Sequence, residues 1–192
     1  MTTNELLCCF GIQDIRTLPE TIMEVLFGPQ EARDEIYKEL LKLNNYDMSC
    51  DWFQPIYEEE LSQRKEKKQD FTPNIIGQLT AKLCGTDQRT TYEPTAGNGS
   101  MLIADWYAKL LKQFPWGFLP SMNQVECWEL SDRSIPILLL NLSIRGIMGM
   151  VYHGDVLEQT VKQKYILLNR HDDALAFSGI HKVNNNAQII EL

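Results

Sequence analysis

The chain lacks any run of about 18 apolar residues, so no stretch predicts a membrane-spanning helix. Its opening residues, MTTNELLCCFG, carry no basic stretch, which argues against a cleaved secretory signal. Cysteine is sparse and odd in number: Cys8, Cys9, Cys50, Cys84 and Cys127 form no Cys-x-x-Cys pair. Neither a zinc site nor a disulfide framework is predicted, and reduced thiols in a cytoplasmic setting are expected. Positive charge is short as well, with 18 Lys and Arg against 26 Asp and Glu, a net charge of -8. The one dense basic run, Arg64 to Lys68 (RKEKK), is interrupted by a glutamate and reads as a solvated face or linker. A nucleic-acid binder ordinarily carries an electropositive footprint, so DNA binding by this chain alone is predicted to be weak at most. No internal repeat or low-complexity segment is present.

What remains is the composition of a globular protein, 44% apolar and 23% charged over 192 residues. That length accommodates one domain with a real core and an appended helical piece. Residues 1–65 read as an N-terminal helical cap, from apolar positions spaced at 3.6 residues. In EARDEIYKELLKL, Ile36, Leu40 and Leu43 share a stripe flanked by Tyr37 and Leu41, with acids opening the segment and lysines closing it. TLPETIMEVLFG and DWFQPIYEEELSQ give further helical pieces. In FTPNIIGQLTAKLCG, Thr72 is placed to cap a helix with Pro73 in its first turn. Ile75, Ile76, Leu79 and Leu83 form its stripe, and Gly85 stops it.

Residues 66–192 then alternate short strands and helices. RTTYEP, QVECWEL, MVYHGDVL and QKYILLNR read as strands. SMLIADWYAKLLKQF, with Met101, Ala104, Ala108 and Leu111 near one face, and PILLLNLSIRG read as helices. This βαβαβ rhythm predicts an α/β fold with a mostly parallel sheet. In such sheets ligands bind beyond the carboxyl ends of the strands, where TYEPTAGNG lies. Gly97 and Gly99 let backbone approach a ligand, but no Gly-Lys-Ser/Thr follows, and a dinucleotide fingerprint fails at Leu102. Glu93 ahead of the loop suits a cationic ligand better than a pyrophosphate.

Four features in order carry a resemblance: Phe71-Thr72-Pro73 before a helix; Glu93-Pro94-Thr95-Ala96-Gly97-Asn98-Gly99 after a strand; Glu129 ending the second strand; and His153-Gly154-Asp155-Val156 after the third. Over residues 66–170 the chain resembles the N6-adenine DNA methyltransferases, particularly modification subunits of type I restriction–modification systems. The resemblance implies a Rossmann-like S-adenosylmethionine-dependent methyltransferase fold, with an incomplete sheet here. It places Phe71, Thr72 and Pro73 at the methionine end of S-adenosylmethionine, and the loop from Glu93 to Gly99 around its methionyl and ribose parts. It gives Glu129 the ribose hydroxyls and Asp155 the adenine amino group.

The chain departs from that family after its fourth strand. The family has Asp/Asn-Pro-Pro-Tyr/Phe; here Asn169 fills the first position and Arg170-His171-Asp172 follow, without the prolines or the stacking aromatic. The residues beyond Asn169 suffice for a short helix and one strand, AQIIEL. The expectation is therefore an S-adenosylmethionine-binding protein in which DNA methylation is lost or depends on a partner. One alternative is an active adenine methyltransferase completed by self-association or a second subunit; the other is a non-catalytic regulatory or interaction module of a mobile element. An incomplete sheet also predicts cover for its edge, from AQIIEL, from the cap or from a second copy of the chain.

Overall fold

The computed structural model describes residues 1–57, 74–85, 87–113 and 117–183. The N-terminal part is helical, as the apolar spacing predicts: α1 (Thr3–Phe10), α2 (Leu18–Phe27) and α3 (Gln30–Leu43). Thr2 and Glu5 form a reciprocal capping box at the start of α1, and Gly11 ends it in the left-handed conformation. Helical backbone resumes over 54–57. The basic run 64–68, the Phe71-Thr72-Pro73 motif and AQIIEL lie outside the described residues.

Helix α4 (Asn74–Cys84) stops before Gly85, whose φ of +78° fits the predicted terminator. Its apolar stripe does not face the core: Ile75 is 72% and Leu83 78% exposed. The inward face is built from small residues instead. A Cβ on Gly77 would lie 3.2 Å from Ala104 Cβ, so α4 approaches α5 (Ser100–Gln113) closely on that side. The predicted stripe of α5 is correspondingly redistributed. Met101 and Ala104 meet α4, Leu111 is exposed, and Leu102, Ile103, Trp106 and Lys109 are buried. Lys109 is buried with its charge matched, 2.8 Å from Asp105 and 2.6 Å from the Thr91 hydroxyl.

The chain alternates β1 (Thr90–Glu93), α5, β2 (Gln124–Glu129), α6 (Ser134–Ile144) and β3 (Gly149–Asp155). β1, β2 and β3 are adjacent and parallel, as the rhythm predicts. The expectation of a mostly parallel sheet fails beyond β3. β4 (Thr160–Leu168) pairs antiparallel with β3, and β5 (Gly179–Val183), a strand not anticipated, pairs antiparallel with β4. The result is a mixed five-stranded sheet in the order β1-β2-β3-β4-β5. A parallel partner for β3 needs a crossover of a dozen or so residues, usually a helix. Only a four-residue turn, Val156 to Gln159, separates β3 from β4, so a hairpin is the available outcome.

Both βαβ crossovers step the same way across the sheet, and right-handed crossovers then place α5 and α6 on one face. All eleven residues of α6 are buried. An apolar helix without a polar face must be covered all round; here the sheet covers one side and the N-terminal helices the other. Tyr37 of α3 donates to the Ser143 hydroxyl (2.7 Å) and packs edge-on against Phe177. The apolar cluster runs unbroken from Leu6 through Leu139 to Ile180, so the N-terminal helices and the sheet share one core. Each fully buried Leu or Ile contributes about 1.5–3 kcal/mol, which makes α6 the centre of stability.

Candidate functional site

The carboxyl ends of β1, β2 and β3 gather three of the four features singled out in the sequence. Glu93 ends β1 and aligns with Cys127 of β2; Glu129 ends β2 and aligns with His153 of β3; Asp155 ends β3. Between β1 and α5 runs the loop Pro94 to Gly99. Its Ala96 N–H donates to the Trp128 carbonyl (2.8 Å), which ties the loop to β2. The Gly97 N–H donates to Glu129 Oε2 (2.7 Å), while Glu129 Oε1 accepts from the Ser131 N–H (2.7 Å). The buried Glu129 carboxylate thus holds the loop as well as presenting charge beneath it, with acceptor capacity left over.

The two glycines do different work. Both have positive φ, +55° at Gly97 and +94° at Gly99. A Cβ on Gly97 would meet nothing within 4 Å, whereas one on Gly99 would come within 2.9 Å of Leu138 Cδ1. Gly97 therefore leaves open space above the loop, and Gly99 seats it against α6. Pro94 and Thr95 are exposed at the rim, and Ala96 and Asn98 are buried beneath.

The electrostatics at this end are negative. Glu93 is half-buried, and desolvation raises its carboxyl above the ordinary range, against a lowering hydrogen bond from the Thr95 backbone. No cation pairs with it among the described residues. Burial pushes the Cys127 thiol strongly upward, and the carboxylates of Glu93, Glu129 and Glu126 add to the rise. An organic cation is the ligand that such a field favours.

Asp155 is at the right end of the sheet but has a local duty. Its Oδ1 accepts from the Leu157 N–H (2.8 Å) and the Glu158 N–H (3.2 Å), pinning the hairpin turn. Asn169 is in the wrong place for catalysis beside the loop. Because β4 runs antiparallel, Leu167 aligns with Gly149, and Asn169 sits at the amino end of β3. The opposite end, with Glu129 and Asp155, is about 20 Å away along the seven residues of β3. The Asn169 amide is buried and donates to the carbonyls of Gly146 (3.2 Å), Asp173 (2.7 Å) and Ala176 (3.0 Å). The residue expected to hold a target amine is instead a staple for the 169–176 loop. Phe71, Thr72 and Pro73, expected at the methionine end, lie outside the described residues.

A buried polar network behind the loop was not anticipated. Asn141 of α6 donates to Asp51 Oδ1 (2.9 Å) and to the Asn98 carbonyl (2.9 Å). Arg145 donates to Asn141 Oδ1 (3.0 Å) and to the carbonyls of Cys50 (2.6 Å), Asn141 (3.0 Å) and Met48 (3.1 Å), with its guanidinium 4.7 Å from the centre of the Trp52 ring. Burial pushes Asp51 above the carboxylate range and lowers Arg145 to about 10, each resisted by the opposite charge nearby. The only hint in the sequence is a polar residue within, and a basic one just beyond, the apolar run of α6.

Comparisons with protein-family models, curated proteins and solved structures find no match.

Proposed function

We propose that this chain binds S-adenosylmethionine at the carboxyl ends of β1 and β2, and that it does not by itself transfer the methyl group to DNA adenine. The observation that carries the reading is the convergence of Glu93 and Glu129 on a backbone loop whose Gly97 opens onto free space. The ligand's sulfonium and ammonium are favoured by those carboxylates, and its ribose hydroxyls by the remaining acceptor capacity of Glu129. Gly97 allows the ligand to lie against the backbone. Phe71 to Pro73 complete the family-like motif set in the sequence.

The absence of transfer rests on separate ground. Asn169 is committed to three backbone carbonyls at the far end of β3, and no Pro-Pro-aromatic segment accompanies it. Calorimetric titration of the 192-residue chain with S-adenosylmethionine, and with its demethylated product, tests the binding. Both should bind, the sulfonium compound more tightly because only it carries the extra positive charge. No binding of either would overturn the reading.

A further inference from the structure

The helices packed on the sheet lie on one face, and the alternation of side chains assigns the other. Glu126, Trp128, Met150, Tyr152, Lys164 and Ile166 point away from α5 and α6 by register. None of the apolar members of this set packs against the main apolar cluster. Trp128 and Tyr152 stack on each other, 4.6 Å between ring centres and 11° from parallel. Beside them a groove of about 240 Å³ runs over Met150 and Ile166. Among the described residues no helix covers this face.

The charges on it are arranged about β3. Glu126 lies on β2 and aligns with Met150; Lys164 lies on β4 and aligns with Tyr152, its ammonium 5.6 Å from the Tyr152 ring centre. Neither makes an ion pair among the described residues. Opposite charges thus stand one strand to either side of an apolar centre, offset along the strand by two residues.

We infer that this open face is a homodimer interface, two copies packing sheet to sheet about a two-fold axis running along β3. Such an axis exchanges the β2 and β4 sides, so Glu126 of each copy comes over the β4 side of the other, within reach of its Lys164. The pairing forms twice, as an isologous contact requires. Aligned sheets pack about 10 Å apart, a gap that the lysine and glutamate stems together span. Five strands at ~4.8 Å spacing and about 20 Å long present ~500 Å² in projection. Side-chain relief brings that towards the ~800 Å² per partner of a stable interface. Trp128 and Tyr152 supply the large aromatic anchors that such centres favour. The inference does not depend on the cofactor reading.

Sedimentation equilibrium of the 192-residue chain over a range of concentrations tests it. The wild type should dimerise with a Kd of ~1 µM or tighter. Glu126→Lys and Lys164→Glu each set like charges across the interface and should each weaken the dimer at least ~10-fold. The double exchange, Glu126→Lys with Lys164→Glu, should return the Kd to within ~3-fold of wild type. Circular dichroism and a thermal melt check that each variant is folded, and both positions are surface charges outside the core. A monomeric wild type overturns the inference, as does a dimer indifferent to the single exchanges or not recovered by the double one. A monomer that binds a single-stranded oligonucleotide through Trp128 would assign the face to nucleic acid, with the same consequence.

Discussion

Glu129 carries two duties through one carboxylate, and the two separate experimentally. It accepts from the Gly97 and Ser131 N–H groups, and it supplies the acceptors proposed for the ligand. Glu129→Ala should weaken S-adenosylmethionine binding ~10- to 100-fold, the equivalent of about 1.5–3 kcal/mol. It should also lower the melting temperature without ligand, because two N–H groups lose their partner. Unchanged affinity in a folded variant, measured by calorimetry, would remove Glu129 from the site. Glu93 gives a pH signature. Burial holds its carboxyl above the ordinary range, and a cationic ligand needs it ionised. Affinity should therefore be flat at high pH and fall as pH drops through that raised value. Glu93→Gln should bind more weakly at neutral pH and lose this slope; a slope that survives in Glu93→Gln would assign it to another group.

At the scale of elements, the segment 48–52 and helix α6 are held together by Arg145, and the loop is held to α6 through Asn141. Arg145→Ala leaves three carbonyls without their donor and the Asp51 carboxylate without its nearby positive charge. The expected loss is about 3 kcal/mol or more, read as a shifted midpoint in urea unfolding. Arg145→Lys should recover little, because one ammonium cannot reproduce the planar fork that reaches the Met48, Cys50 and Asn141 groups. A midpoint within error of wild type for Arg145→Ala would mean that the network contributes nothing net. Part of this level was legible in the sequence. The Gly85 stop of α4 and the glycine loop after β1 follow from local chemistry and stand where the residue pattern puts them. The outward stripe of α4 did not, because Gly77 and Ala81 pack inward by virtue of the neighbouring helix.

For the whole molecule, the decisive feature is the turn that sends β4 back along β3. It carries Asn169 to the end of the sheet away from the candidate cofactor loop. Adenine in a duplex must be flipped out, stacked and held by acceptors before its amine attacks a methyl group. Here Asn169, the acceptor that the family-like motif would supply, lies at the far end of β3. Its amide donates to three carbonyls, its Oδ1 faces the Asp173 N–H, and Arg170 brings positive charge beside any amine placed there. We expect no methyl incorporation above background when the isolated chain meets mixed-sequence DNA and tritiated S-adenosylmethionine. Asn169→Ala is a poor control because it removes a buried staple, so the informative control is Glu129→Ala. Incorporation that disappears in that control would establish transfer by this chain and overturn the expectation.

The sequence by itself determined the βαβαβ order, the helices around it and the acids at the ends of its strands, since these depend on periodicity, capping and backbone freedom within a few residues. Gly97 was legible in that backbone freedom and Glu129 in the order of the family-like motifs, though the hydrogen bond joining them crosses 32 positions. Only the tertiary structure decided the direction of β4, the presence of β5, the sheet face that no helix covers among the described residues, and the buried network at Asp51, Asn141 and Arg145. Strand direction depends on which distant backbone completes the hydrogen-bond ladder, and a four-residue turn leaves only the antiparallel answer. Polar partners such as Asp51 and Asn141, 90 positions apart, are selected by the need to satisfy a group once it is buried. That need arises only when the helices close over the sheet.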